Sequence, residues 1–257
     1  MTSDRRVLIL FEGKTDRKLF STLRNFGTFS SLLDEDAYVP VLLRTSIYEL
    51  YEPLIESGEY DSLLVYLYSK HLLEPPENVR PSDMFPLVYL VFDFDPRYHL
   101  YNEEKIRALQ EYFSDETRNG LLYLNYPMVE SLFDLQNDAG EWSVTKQRPL
   151  SCCSSDGYKS LVRKQSPFRS PSGHPLQVLP PSLFAKVGLY SLARYQELMG
   201  ASGDWTFTDI AGLLEKEIDG VKNEVVFPLC CLPFMALDYN AKKTLDEWAA
   251  CIAESNV

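Results

Sequence analysis

The run Leu-Val-Tyr-Leu-Val-Phe-Asp-Phe-Asp, Leu87 to Asp95, constrains this chain most. Its apolar part is unbroken, β-branched and aromatic, the pattern of a strand covered on both faces. Strands of that kind belong to parallel sheets, and open α/β sheets place their ligands at the carboxyl ends of the strands. Because side chains alternate along a strand, Asp93 and Asp95 are expected on one face and Phe94 on the other, so that both carboxylates converge on one point. A lone Asp-x-Asp before Pro96 is more often the start of a solvated loop. The rest of the chain shifts that balance.

A second apolar run, Val7 to Phe11, ends in Glu12-Gly13 and leads into a helical pattern with Leu19, Phe20 and Leu23 on one stripe and Thr15 or Asp16 as the cap. A carboxylate at a strand end, a glycine for the turn, then a helix is the layout of many first βα turns. Lys14, Arg17, Lys18 and Arg24 occupy the other face of that helix, either as a solvated face or as contacts to phosphate. A third strand is expected over Ala37–Leu43, helices over Ile47–Ser57 and Leu63–Leu73, a proline-rich loop over Glu74–Pro86, an amphipathic helix over Glu103–Phe113, and a strand over Leu121–Asn125. Pro127 then suits the first position of a helix, which puts Glu130 in its first turn.

Strand-Glu, strand-Asp-x-Asp and strand-helix-Glu therefore bring carboxylates to one edge of one sheet. Crowded like charges are expected to raise one another's pKa. Mg²⁺ or Mn²⁺ fits such a set, because hard divalent cations are held by one or two carboxylates with water and substrate phosphate. The three histidines and five cysteines have no zinc or nucleophile spacing, and the cysteines are expected reduced, with Cys230, Cys231 and Cys251 in the core. A net charge of −12 excludes coating of nucleic acid by bulk electrostatics but not a carboxylate-built nuclease. No apolar run reaches the length of a membrane span and the N-terminus lacks a signal region, so a cytoplasmic protein is expected.

From about Gly140 the composition changes. Glu141 to His174 carries Lys146, Arg148, Lys159, Arg163, Lys164 and Arg169 against Glu141 and Asp156, a basic island that either guides nucleic acid or is a solvated linker. Helices are expected over Leu183–Met199, Thr208–Ile218 and Lys242–Glu254, with Val225–Ala236 crossing the core as strand or helix. The division expected is 1–140 as the α/β domain and 141–257 as a basic linker with a mainly helical region packed on it.

Leu10-Phe11-Glu12-Gly13-Lys14-Thr15-Asp16 followed by Val91-Phe92-Asp93-Phe94-Asp95 resembles the TOPRIM domain of topoisomerases, primases, maturation ribonucleases and OLD-type nucleases. Tyr126 to Leu132 is similar to the Pro-x-x-Glu-type helix of OLD-like members. The resemblance covers roughly the first 140 residues. It implies a Rossmannoid parallel sheet flanked by helices and a metal-dependent nuclease for DNA or RNA, tRNA included. Glu12, Asp93 and Asp95 take the catalytic positions, and the same three with Glu130 the metal positions. The 80 residues between Glu12 and Asp93 exceed what a compact TOPRIM domain needs, and no upstream ATPase is expected. The resemblance therefore implies a stand-alone effector of the anti-phage type, working on nucleic acid beside a separate ATPase or sensor protein. Its alternative is a non-catalytic TOPRIM-like module that binds a partner and regulates it. Lys14, Arg17, Lys18, Lys159, Arg163 and Lys164 are the candidates for nucleic-acid binding.

Overall fold

The computed structural model describes residues 6–30, 38–74, 84–138, 140–167, 179–201 and 207–255. Strand β1 (Val7–Phe11) is buried along its whole length and is followed by helix α1 (Lys14–Phe20) and the short α2 (Gly27–Ser30). Next come β2 (Tyr38–Leu42), α3 (Leu63–Ser69), β3 (Leu87–Asp93), α4 (Glu103–Tyr112), β4 (Ser114–Asp115) and β5 (Gly120–Asn125). The five strands form one mostly parallel sheet in the order β2-β1-β3-β5-β4. β1 pairs in parallel on both sides, with Phe11 opposite Leu42 and Val91, and β4 is antiparallel to β5. The protein is thus α/β with the carboxyl ends of β1, β2 and β3 along one edge, as the apolar runs predict. Gly120 has a φ of +116°, and a Cβ there would stand 2.6 Å from Leu90, so the turn into β5 requires glycine.

The chain divides into two units, one of Met1–Arg17, Ser31–Phe92 and Leu100–Tyr123, the other of Lys18–Ser30, Asp93–His99 and Leu124–Val257. In the first, Asn102 caps α4 by accepting from Glu104 and Lys105 N–H groups, and Ile106 and Leu109 are buried. Two helical expectations change here. Ile47–Ser57 is not an α-helix but a 3₁₀ turn (Ile47–Leu50) followed by a π turn (Glu52–Glu56), with Ser57 N–H donating to Glu52 O at 2.9 Å. Pro53 has no N–H for an α-type bond, and the ladder shifts around it. α3 ends at Ser69 rather than Leu73, and only Leu63 and Leu67 are buried, so this helix packs by one face. Most of the proline-rich loop lies outside the described residues.

In the second unit follow β6 (Leu135–Asp138), β7 (Glu141–Val144), β8 (Arg148–Pro149), α5 (Ser155–Gln165), α6 (Pro181–Met199), α7 (Ile210–Lys222), β9 (Val225–Val226) and α8 (Leu232–Glu254). β6 pairs with β7 and β8 with β9, both antiparallel. The run Val225–Ala236 is both a strand and a helix start, and α8 begins at Leu232 instead of Lys242. Asn240 leaves helical geometry (φ −163°, ψ 87°) and its Oδ1 accepts from Lys243 N–H, so it breaks α8 and caps the second half. Trp248 on that half is fully buried over Gly188 of α6, and its ring meets Phe184 edge-on at 6.2 Å. Glu247 ties the same helix to Thr28 through both the backbone N–H and the hydroxyl.

Candidate active site

Asp93 is the last residue of β3 and is 8% exposed. Its Oδ1 accepts two hydrogen bonds, from Asn125 Nδ2 at 3.2 Å and from the Val129 backbone N–H at 2.8 Å. Asn125, at the end of β5, is itself fully buried, and its Oδ1 accepts from Cys231 N–H at 3.1 Å and from the thiols of Cys230 and Cys231. One amide therefore relays the position of the Cys230-Cys231 turn to the Asp93 carboxylate. Neither Asn125 nor this role of the adjacent cysteines emerges from the sequence, because the pairing links residues 105 and 106 positions apart. All five cysteines are free, as expected, but Cys251 is only half-buried.

Asp95 is not on the strand. The strand stops at Asp93, and Asp95 takes a φ of +31° while its N–H donates to Pro127 O at 2.9 Å. Alternation along β3 therefore does not aim it. A β bridge between Tyr126 and Leu229 and the Asp95–Pro127 bond set its position instead. Pro127 likewise is not a helix start: the helical turn behind it is a 3₁₀ turn over Val129–Phe133 that contains Glu130. The tight pairing of Tyr126 with Leu229 holds 126–128 out of the helix.

Asp95 and Glu130 share an environment. Burial raises the pKa of each, and for each the charge of Lys159 opposes the rise. The backbone N–H of Arg97 also favours the charged Asp95, and Arg163 the charged Glu130. The cause is loss of water and not the carboxylate repulsion expected from the sequence. Lys159 Nζ lies 3.9 Å from Glu130 Oε1. Asp95 Oδ1 and Glu130 Oε2 are buried without a hydrogen-bond partner. Buried anionic oxygens left in that condition are costly unless a cation or a proton meets them.

Glu12 stands in the other unit, directly after β1, with its N–H donating to Val91 O and its carbonyl accepting from Arg44 N–H. Gly13 N–H donates to Asp16 Oδ2 at 3.2 Å, so Asp16 reaches back from inside α1 to the turn and is buried there. Lys14, Arg17 and Lys18 are exposed. In the basic island Lys159 is half-buried, Arg163 and Lys164 are exposed on α5, and Arg169 and His174 lie outside the described residues.

Two island cations serve the fold. Lys146 pairs with Glu197 at 3.0 Å. Arg148 grips Asp134 with two nitrogens, at 2.6 and 3.0 Å, while Asp134 also accepts from Thr145 Oγ1 and Tyr158 OH. Asp134 is 1% exposed, so this network joins β6, β8 and α5 around one satisfied charge. It places α5, and with it Lys159, beside Glu130.

Among the described residues no group of three or more His, Cys, Asp or Glu side chains is arranged to hold a metal ion. Asp95 Oδ1 and Glu130 Oε2 are each the kind of hard, unpartnered carboxylate oxygen that magnesium takes, one or two at a time, with water and phosphate in its other positions. Among the described residues no helix is long and apolar enough to cross a membrane. Compared with protein-family models, with curated protein sequences and with solved structures, the chain matches none.

Proposed function

We propose that this protein is a divalent-metal-dependent nuclease of TOPRIM type, hydrolysing phosphodiester bonds in DNA or RNA. The observation that carries the reading is the pair of buried, unpartnered carboxylate oxygens on Asp95 and Glu130 beside Lys159. Asp95 and Glu130 would hold the ion, with Asp93 sharing in the chemistry; a catalytic role for Glu12 is what the TOPRIM resemblance implies. The bound cation would supply charge neutralisation for a phosphate and a more acidic water. Lys159, half-exposed and close to Glu130, offers its ammonium to the same phosphate. Asn125 and the Val129 N–H orient Asp93 by donating to one of its oxygens. By analogy with OLD-like proteins the setting is the cytoplasm, as an anti-phage effector beside a separate ATPase or sensor protein.

The absence of a three-ligand group among the described residues favours a second reading, a non-catalytic TOPRIM-like module acting on a partner. Cleavage of plasmid, single-stranded DNA and tRNA with Mg²⁺, Mn²⁺ or chelator separates the two. Metal-dependent cleavage that falls by orders of magnitude in Asp95→Asn, Glu130→Gln and Glu12→Gln is expected. No cleavage on any substrate with either metal leaves the module, and cleavage unaffected by all three variants removes these acids from the chemistry.

A further inference from the structure

We propose that the turn 95–99 is a stacking platform for an unpaired base, so that the site at Asp95 and Glu130 takes single-stranded nucleic acid in preference to duplex. The inference rests on the nuclease reading of that site and names its substrate class. Tyr98 N–H donates to Asp95 O at 3.0 Å, which closes a β-turn with Pro96 at its second position. The Arg97 N–H also meets the Asp95 carboxyl. Both bonds fix residues 96–98 to the residue whose buried Oδ1 has no hydrogen-bond partner.

The turn carries a pair of rings. Tyr98 and His99 have ring centres 4.5 Å apart and planes tilted by 50°. Tyr98 is half-buried and His99 exposed, so the inner ring backs the outer one and His99 presents its ring to solvent. Every base has a π face that such a ring can cover. In a duplex both faces of a base are already covered by its neighbours in the stack. A ring fixed a few residues from Asp95 therefore serves a base that has left the stack and not a paired one.

The charges beside the acids suit the backbone of a single strand. Arg97 is exposed on the same turn as the rings. On α5, Lys159 and Arg163 stand one helical turn apart and the charges of both act on Glu130, with Lys159 Nζ 3.9 Å from its Oε1. Cations thus flank the acids from two elements of one unit, the turn after β3 and α5. In a chain of net charge −12 these few cations cannot coat a duplex, whereas a short strand is held by a few cations and a ring together.

The test follows the anisotropy of labelled strands with the full chain at low salt, in chelator, so that binding is read apart from cleavage. Short oligodeoxythymidine and oligouridine strands should bind about tenfold tighter than blunt duplexes of the same sugar and length, and the two strands show which sugar is preferred. His99→Ala should weaken strand binding about tenfold and His99→Phe should restore it, while an abasic strand binds wild type and His99→Ala alike. Arg97→Gln should weaken the abasic strand as well and lower the salt dependence. Duplex bound as tightly as the strands, no binding of any strand, His99→Phe as weak as His99→Ala, or an abasic strand that responds to His99→Ala overturns the proposal. Thymidine monophosphate competing at the affinity of the strand assigns the platform to a free nucleotide and overturns it too. Cleavage assays keep the two readings apart. Metal-dependent cleavage with duplex bound as tightly as strand sinks the platform alone, and a His99-dependent strand preference without cleavage of any substrate sinks the nuclease alone.

Discussion

At the scale of single residues, the ionisation of Asp95 and Glu130 is the sharpest quantity. Burial lifts both above their ordinary values of 3.8 and 4.5, so the folded chain keeps these protons to higher pH than the unfolded chain does. In the window between the ordinary and the folded pKa the native state holds more protons, and stability must therefore fall as pH rises. The loss is complete above the folded pKa. Urea midpoints of the metal-free protein, taken from pH 4 to about pH 8, should decline along this window. Glu217, fully buried with one unpartnered oxygen and a pKa raised well above normal by burial, adds a slope of the same sign to every variant. The comparison of wild type with Asp95→Asn/Glu130→Gln isolates the two site acids. A flatter profile for the double variant is expected, and identical profiles would show that neither carboxyl is held protonated by the fold.

At the scale of elements, the placement of α5 depends on one buried ion pair. Arg148 and Asp134 have side-chain exposures of 17% and 1%, and Tyr158 on α5 donates to the same carboxylate at 2.9 Å. Asp134→Asn leaves a half-buried guanidinium without its counter-charge and should cost about 3 kcal/mol, while Tyr158→Phe, which removes one neutral donor, should cost about 1 kcal/mol. Urea midpoints measure both, and a loss below about 0.5 kcal/mol in Asp134→Asn would mean that the network does not hold α5. The basic island read from composition treats Arg148 and Lys159 alike. Composition cannot separate them, because the difference lies in partners distant in the chain: Arg148 faces a fully bonded carboxylate and Lys159 an incompletely bonded one. Strands β1, β3 and β5 and helix α4 were legible because apolar runs and amphipathic spacing act locally. The segment 47–56 was not, since one proline inside a good helical pattern shifts the hydrogen-bond ladder. Asp95 and Pro127 were misplaced for the converse reason, a bridge to Leu229 more than a hundred residues away overriding the local pattern.

At the scale of the whole molecule, the chain carries a net charge of −12 and buries carboxylate oxygens that no donor meets. Such an arrangement costs stability unless something outside the chain compensates it, and a divalent cation would do so by binding the folded state alone. Adding Mg²⁺ or Mn²⁺ at about one hundred times its dissociation constant should then raise stability by about 2.7 kcal/mol and lift the thermal midpoint. Asp95→Asn and Glu130→Gln should lose most of that gain while being no less stable than wild type without metal, because burial already disfavours the charged form of each and one oxygen of each has no hydrogen-bond donor. Asp93→Asn behaves differently: Asp93 accepts from Asn125 and from Val129 N–H, and an amide in its place presents donors to Asn125 or loses the charge that both donors meet, so a metal-free loss of about 1 kcal/mol is expected. Calorimetric scans of the four proteins with and without metal give all these values at once. A midpoint that does not move with metal in the wild type, or that moves equally in Asp95→Asn and Glu130→Gln, removes the cation from this pair of oxygens and leaves their burial to be met by protons alone.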